Sequence, residues 1–177
     1  LLAQARTQRP QPGRDDKVVA GWNGLAIAAL AEAGAVLARS ELVDAAERIA
    51  AYLERVHWRP AADGPGKLMR VSHDGVARGI GGLLEDYALC ADGLFALYGV
   101  TGHTRWYELA ADILDAACRR FAADGGLKDA AGESVQVTAA QGGRDGMEPF
   151  DGATPSGVAA LAGALLTHSA LSGASEH

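Results

Sequence analysis

Polar side chains that could bind or process a small molecule occur at the starts of three apolar stretches of this sequence. They are Asp16, Trp22 and Asn23 at the first stretch, Glu85, Asp86 and Tyr87 at the second, and Asp151 and Ser156 at the third. Carboxylates and amides hydrogen-bond sugar hydroxyls, and aromatic rings stack on the apolar face of a sugar. Two carboxylates held apart can also act as general acid and base.

We therefore predict a carbohydrate site in which Glu85, Asp86 and Asp16 are the catalytic candidates. The predicted substrate-binding residues are Trp22, Asn23, Tyr87, Asp151, Ser156 and Arg70. Arg70 and His73 lie in a candidate hairpin before the second stretch, from which they could lean over the site.

Each of these residues also has a structural explanation. Acidic residues in the first turn of a helix, such as Glu85 and Asp86, are favoured by the helix macrodipole alone. Ser156 could be a helix cap, Trp22 could be a packing residue, and Asp16 could form an ion pair near Lys17. The recurrence of polar groups at three equivalent positions favours the functional interpretation.

Helical periodicity predicts how these positions are brought together. Residues 22–37 and 83–100 are apolar on nearly every face, which is typical of inner helices. Residues 42–57 and 106–121 carry one apolar stripe each, which is typical of half-buried outer helices. A third inner helix is predicted to begin at Pro155, with Thr154 as its cap.

Inner helices thus recur at intervals of roughly 60 to 70 residues, each paired with an outer one. This alternation predicts an all-α fold, either a partial α/α toroid or a stacked superhelix of helical pairs. In a ring the same ends of all inner helices meet at one mouth. Residues 67–72, with Asp74-Gly75 as a turn, predict one small β-hairpin.

Composition excludes several classes of protein. A net charge of −6 with scattered basic residues argues against nucleic-acid binding. Two distant cysteines, Cys90 and Cys118, indicate neither a zinc site nor a redox motif and favour a cytoplasmic setting. Neither a membrane span nor a P-loop, dinucleotide or nucleophile-elbow motif is present, and we predict no cofactor and no metal.

Several motifs in order resemble one family. They are Arg9-Pro10, Asp15-Asp16-Lys17, Trp22-Asn23-Gly24-Leu25-Ala26-Ile27, Leu84-Glu85-Asp86-Tyr87-Ala88, Leu97-Tyr98, Thr101-Gly102, Asp151-Gly152-Ala153 and Pro155-Ser156-Gly157. Together these motifs, which span most of the chain, resemble the thioredoxin-domain-containing, spermatogenesis-associated protein 20-like family. The resemblance departs at Val158, where the family commonly has Asn, and in the looser connector 141–150.

The resemblance implies an N-terminal thioredoxin-like domain followed by an (α/α)6 toroid akin to N-acylglucosamine 2-epimerases and six-hairpin glycosidases. On this basis we expect residues 18–173 to be about two and a half hairpins of that toroid. Residues 1–17 would be a linker and residues 174–177 a disordered tail. Because the first methionine is Met69, we expect the chain to be part of a longer protein.

Three functional hypotheses follow from these observations. The leading one is a carbohydrate-active toroid of isomerase or hydrolase type, whose partner is a small-molecule substrate such as a sugar. The second is a non-catalytic scaffold that positions the thioredoxin-like domain of the same parent chain. The third, a protein-interaction module, requires an exposed apolar groove.

Overall fold

The computed structural model describes residues 2–123, 126–130 and 150–173, in which the chain is mostly helical with small sheets. The helices are α1 (Leu2–Thr7), α2 (Ala20–Val36), α3 (Ser40–Tyr52), α4 (Leu84–Thr101), α5 (Thr104–Phe121) and α6 (Gly157–Ser172), and a π-helical turn (Leu53–His57) continues α3. The predicted helical hairpins are confirmed: α2 and α3 form one, and α4 and α5 form the next.

The inner helices α2, α4 and α6 lie side by side and run parallel, with α4 in the middle. Glycines permit the close approach, since a Cβ atom on Gly24 of α2 would lie 2.3 Å from the Leu89 carbonyl oxygen of α4. A Cβ atom on Gly157, at the start of α6, would lie 2.9 Å from the Glu85 nitrogen at the start of α4. The first turns of these helices therefore meet at one end of the layer.

The outer helices α3 and α5 each bury one face against the inner layer. Ala46 and Ala50 are the buried residues of α3, whereas α5 buries larger side chains that include Trp106 and Ile113. Glu47 of α3 accepts a hydrogen bond of 3.2 Å from the Trp106 indole nitrogen. This hydrogen bond links α3 to α5, and both helices contact α4.

Three small antiparallel sheets lie at the ends of the helices. Strands β1 (Val18–Val19), β4 (Val71–His73) and β5 (Val76–Ala77) form one sheet in the order β1-β4-β5, β2 (Trp58–Arg59) pairs with β3 (Lys67–Leu68), and β6 (Ala122–Ala123) pairs with β7 (Gly126–Leu127). The predicted turn is confirmed, because Asp74 and Gly75 both adopt positive φ between β4 and β5. The hairpin itself is shifted, since residues 67–68 pair instead with β2.

Two helix predictions require correction. The predicted linker 1–17 contains the short exposed helix α1, followed by an exposed segment without regular structure. The third inner helix begins at Gly157 rather than at Pro155, and Ser156 rather than Thr154 is its cap. The Ser156 hydroxyl accepts a 3.2 Å hydrogen bond from the Ala159 nitrogen. The Asp151 carboxylate accepts a hydrogen bond from the Ser156 nitrogen and closes the loop that leads into the helix, with Ser156 itself in an extended conformation.

Burial along the inner helices also differs from the prediction. Helix α4 is buried nearly all round, but Trp22 and Val36 of α2 are 57% and 83% exposed, and Leu166 of α6 is 73% exposed. The physical reason is position, since only α4 has an inner helix on both sides within the described residues. The predicted tail 174–177 and most of the connector 141–150 lie outside the described residues.

Candidate functional site

Arg70, Glu85 and Asp86 form one ionic cluster at the start of α4. The Arg70 Nη1 atom lies 2.6 Å from Asp86 Oδ2 and 2.9 Å from Glu85 Oε1. The Asp86 side chain is 1% exposed, whereas those of Arg70 and Glu85 are 24% and 33% exposed. The cluster therefore has a buried end at Asp86 and an accessible end at Glu85.

Asp86 is a brace between helices. In addition to Arg70, its carboxylate accepts hydrogen bonds from the Gly21 nitrogen of α2 at 3.1 Å and the Leu83 nitrogen at 2.9 Å. Burial raises the pKa of Asp86 above its ordinary value, and the Arg70 charge and the backbone donors oppose that rise. A carboxylate whose oxygens are occupied in this way joins the starts of α2 and α4 and has no free face for a substrate.

Arg70 is presented to the two carboxylates by the short segment between β3 and β4. Its backbone nitrogen donates to the Ile80 carbonyl at 3.2 Å, and its own carbonyl accepts from the Ala20 nitrogen at 2.9 Å. Both backbone groups of Arg70 are thus held, one by the following segment and one by the start of α2. This fixation limits where the guanidinium can lie.

Glu85 lines a cleft of about 240 Å³ between the starts of α4 and α6. The other lining residues are Leu83, Asp129, Phe150, Gly152, Thr154, Pro155, Ser156 and Gly157. Asp129 is fixed there through its carbonyl, which accepts a 3.0 Å hydrogen bond from the Leu84 nitrogen. The cleft therefore combines two carboxylate residues, two hydroxyl residues and an aromatic ring, but neither the predicted Asn23 amide nor the predicted Trp22 and Tyr87 rings. We name it the Glu85 cleft.

The structure brings together five of the predicted site residues. Arg70, Glu85 and Asp86 are in direct contact, Ser156 lines the same cleft as Glu85, and Asp151 binds the Ser156 nitrogen at 2.9 Å. Their meeting follows from the parallel inner helices, whose starts lie at one end of the layer.

The other predicted residues lie elsewhere. Asp16 pairs with Arg14 at 2.6 Å in the exposed segment before β1, and Trp22 is exposed on α2. The Asn23 amide donates to the Val19 carbonyl at 2.8 Å and thus braces the start of α2. None of these three lines the Glu85 cleft.

Tyr87 lies in the core rather than at the cleft. Its ring is 1% exposed and packs edge-on against Phe121, with the ring centroids 5.3 Å apart. Its hydroxyl accepts a 2.8 Å hydrogen bond from the Leu68 nitrogen of β3. The predicted stacking role would need an open ring face, which a core position does not provide.

A second depression lies at the β4–β5 hairpin. It has a volume of about 350 Å³ and is lined by Val71, Ser72, His73, Asp74, Val76 and Arg78. His73 lies here, paired with Asp74 at 2.9 Å, and does not line the Glu85 cleft. Among the residues that the structure describes, no group of three His, Cys, Asp or Glu side chains could hold a metal ion.

A buried histidine was missed from the sequence. His57 is 0% exposed, and its two ring nitrogens lie 2.7 Å from the Met69 carbonyl oxygen and 2.8 Å from Ser72 Oγ. Helical periodicity placed His57 at the end of an outer helix, where the sequence gives no reason for burial. The π-helical turn changes the direction in which the His57 side chain points. The five-residue spacing from Tyr52 to His57, directly before a strand, is the one sequence signal that could have suggested this arrangement.

The described residues thus define a mostly helical protein of helical hairpins with small sheets, in which the starts of α4 and α6 border one cleft. None of the described helices combines the length and apolarity that crossing a membrane requires.

Comparison with known proteins finds relatives for most of the chain. It is 35% identical to human spermatogenesis-associated protein 20 over 127 residues, which cover 68% of the chain and 16% of that protein. The rat protein of the same name is 34% identical over the same shares, and an uncharacterized Caenorhabditis elegans protein is 30% identical over 84% of the chain and 21% of its own length. The matched region therefore spans about a sixth of the mammalian relatives. No family model matches the chain.

Proposed function

We propose that the Glu85 cleft binds a sugar, and that Glu85 is its acid–base residue in an isomerase- or hydrolase-type reaction. The observation that carries the proposal is the Glu85 carboxylate, which is 33% exposed in a cleft of about 240 Å³ and is held by Arg70. A carboxylate fixed by a guanidinium presents its oxygens in a defined direction, as positioning of a reacting group requires.

The residues around Glu85 support this choice of ligand. Thr154 and Ser156 supply hydroxyl groups, Asp129 supplies a second carboxylate, and Phe150, which is 78% exposed, supplies a ring that a sugar face could cover. Sugars need several polar partners and one apolar face, and this lining has both. Asp86 is a positioning residue here, because its own oxygens are occupied by backbone donors and by Arg70.

We further propose that the chain is part of the α/α toroid of the spermatogenesis-associated protein 20-like family, next to a thioredoxin-like domain. Support comes from the parallel inner helices and from the exposed apolar faces of the two flanking ones, at Trp22, Val36 and Leu166. Apolar faces of this kind are typical of inner helices that have further neighbours in a ring. The similarity to spermatogenesis-associated protein 20 adds to this support.

The test is a thermal-shift screen of mono- and oligosaccharides on the full chain, with Glu85→Gln as the variant. The exposed Glu108 of α5, which does not line the cleft, provides the matched control Glu108→Gln. A sugar at a hundred times its dissociation constant adds about 2.7 kcal/mol of stability, which corresponds to roughly 5 to 10 °C in Tm. We expect this shift in the wild type and in Glu108→Gln, and its loss in a folded Glu85→Gln chain.

The alternative is a non-catalytic scaffold, and the internal bonding of Asp86 and Tyr87 favours it. Polar atoms of both residues are used between helices and strands. If the chain is a scaffold, no sugar shifts Tm. Glu85→Gln then changes the free energy of unfolding by no more than the ~0.5 to 2 kcal/mol that a carboxylate at the start of a helix contributes. That pair of results would reject the sugar site.

A further inference from the structure

His57 lies in a chain of buried hydrogen bonds that runs from the outer helix to the hairpin. Its Nδ1 atom is 2.7 Å from the Met69 carbonyl oxygen, and its Nε2 atom is 2.8 Å from Ser72 Oγ. Ser72 Oγ is in turn 2.9 Å from the Tyr52 hydroxyl of α3. His57 and Ser72 are 0% and 1% exposed, so water does not compete for these bonds.

The chemistry of the partners assigns the protons of this chain. A carbonyl oxygen can only accept, so the His57 Nδ1 atom carries the hydrogen and donates it to Met69. In the neutral ring Nε2 then accepts from the Ser72 hydroxyl, which itself accepts from Tyr52. The neutral Nδ1–H tautomer therefore satisfies every atom in the chain.

The two residues that His57 holds lie on either side of Arg70. Met69 directly precedes Arg70 and Ser72 follows it by two positions, so the imidazole bridges the short segment that presents the guanidinium. The backbone bond from the Met69 nitrogen to the His57 carbonyl, at 2.9 Å, closes the same connection. At the other end of Arg70 lie Glu85 and Asp86, at 2.9 and 2.6 Å.

We propose that His57 is a pH-responsive positioning residue for the Glu85 cleft. Its neutral ring holds residues 69–72 so that Arg70 reaches Glu85, and protonation reverses the bond to Ser72 and places a positive charge within this buried connection. The role of the cleft as a ligand site rests on the proposed function, whereas the coupling between His57 and Arg70 does not.

Protonation changes the hydrogen bonds in a defined way. The Nε2 atom becomes a donor, so the Ser72 hydroxyl must turn and donate to Tyr52 instead of to the ring. Tyr52 of α3 packs against the ring, and the charges of Arg59 of β2 and Asp86 of α4 act on it. Burial lowers the pKa of His57 below its ordinary value of 6.5, while its bond to Met69 and the Asp86 charge oppose that shift. The neutral form therefore dominates near pH 7, and the change is expected on acidification.

The test is a pH titration of the full chain by nitrogen-15 NMR without any ligand. We expect the His57 ring to be the Nδ1–H tautomer at pH 7, and the Arg70 side-chain signals to shift with the same midpoint as the ring. In His57→Gln, whose amide can donate and accept but does not titrate, the Arg70 step should disappear. The exposed neighbour gives the matched control, because His73→Gln should leave the step in place.

Two results would overturn the proposal: Arg70 signals that stay constant while His57 titrates, or an Arg70 step that persists in His57→Gln. The first is measured on the wild type alone, so the proposal stays testable if the variant does not fold. Because no ligand is present, either result is independent of whether the cleft binds a sugar.

Discussion

Replacing Asp86 by Asn tests whether this carboxylate braces the starts of the inner helices. The native carboxylate accepts from the Gly21 and Leu83 nitrogens and from Arg70. An asparagine has one accepting oxygen, and its NH₂ group would face at least one of these donors. The substitution also leaves the partly buried Arg70 cation with Glu85 as its remaining partner.

The magnitude follows from the buried groups that lose a partner. An unsatisfied buried donor costs about 1 to 3 kcal/mol, and removing one partner of a buried ion pair costs about 3 to 5 kcal/mol. Arg70 is 24% exposed and keeps Glu85, so the ion-pair cost is reduced. We expect Asp86→Asn to lower the free energy of unfolding by about 2 to 4 kcal/mol.

The assay is urea denaturation at pH 7, with Asp92→Asn as the matched control on the same helix. The donors Gly21, Leu83 and Arg70 bind Asp86 and not Asp92. Since burial and the Glu32 charge raise the pKa of Asp92, removing its charge should leave stability unchanged or increase it. A loss below about 0.5 kcal/mol for Asp86→Asn would refute the brace, since surface substitutions produce changes of that size.

Three further predictions concern packing, capping and pH. Gly24→Ala should lower the free energy of unfolding in urea by about 3 kcal/mol or more, because the added Cβ would lie 2.3 Å from the α4 backbone. Gly99→Ala, whose Cβ would have nothing within 4 Å, should raise it by up to about 1 kcal/mol. Ser156→Ala should cost about 1 kcal/mol and Thr154→Ala much less, and equal losses would contradict the assignment of the cap. Because the pKa of His57 is lowered, the unfolded chain binds more protons than the folded chain just below pH 6.5. The free energy of unfolding should therefore decrease as the pH falls through this range, by up to about 1.4 kcal/mol per pH unit. If this pH dependence is unchanged in His57→Gln, the prediction is wrong.

The sequence predicted the helices well because their patterns are long and periodic. The apolar run of α4 and the stripe of α5 each gave boundaries within two residues of the observed ones. The meeting of Glu85, Asp86 and Ser156 also followed from the pattern, since parallel inner helices place their starts together. The Asp74-Gly75 turn was predictable because few residues adopt positive φ easily.

The remaining features depend on contacts between distant residues. Whether Asp86 or Glu85 faces the cleft is decided by Gly21, which lies 65 positions away and binds Asp86. The burial of His57 depends on a π-helical turn and on Ser72, neither of which leaves a periodic signal. The position of Asp16 depends on an exposed segment whose ion pairs are local. Patterns along the chain do not contain this information.

The most direct test of the sugar site is NMR mapping of a sugar that raises Tm, titrated into the labelled full chain. We predict that the amides whose shifts change will be concentrated at Leu83, Glu85, Asp129 and residues 150–157, which line or adjoin the Glu85 cleft. The hairpin depression at residues 71–78 serves as the internal control and should be unaffected. Changes concentrated at that hairpin, or spread evenly over the chain, would contradict the assignment of the site.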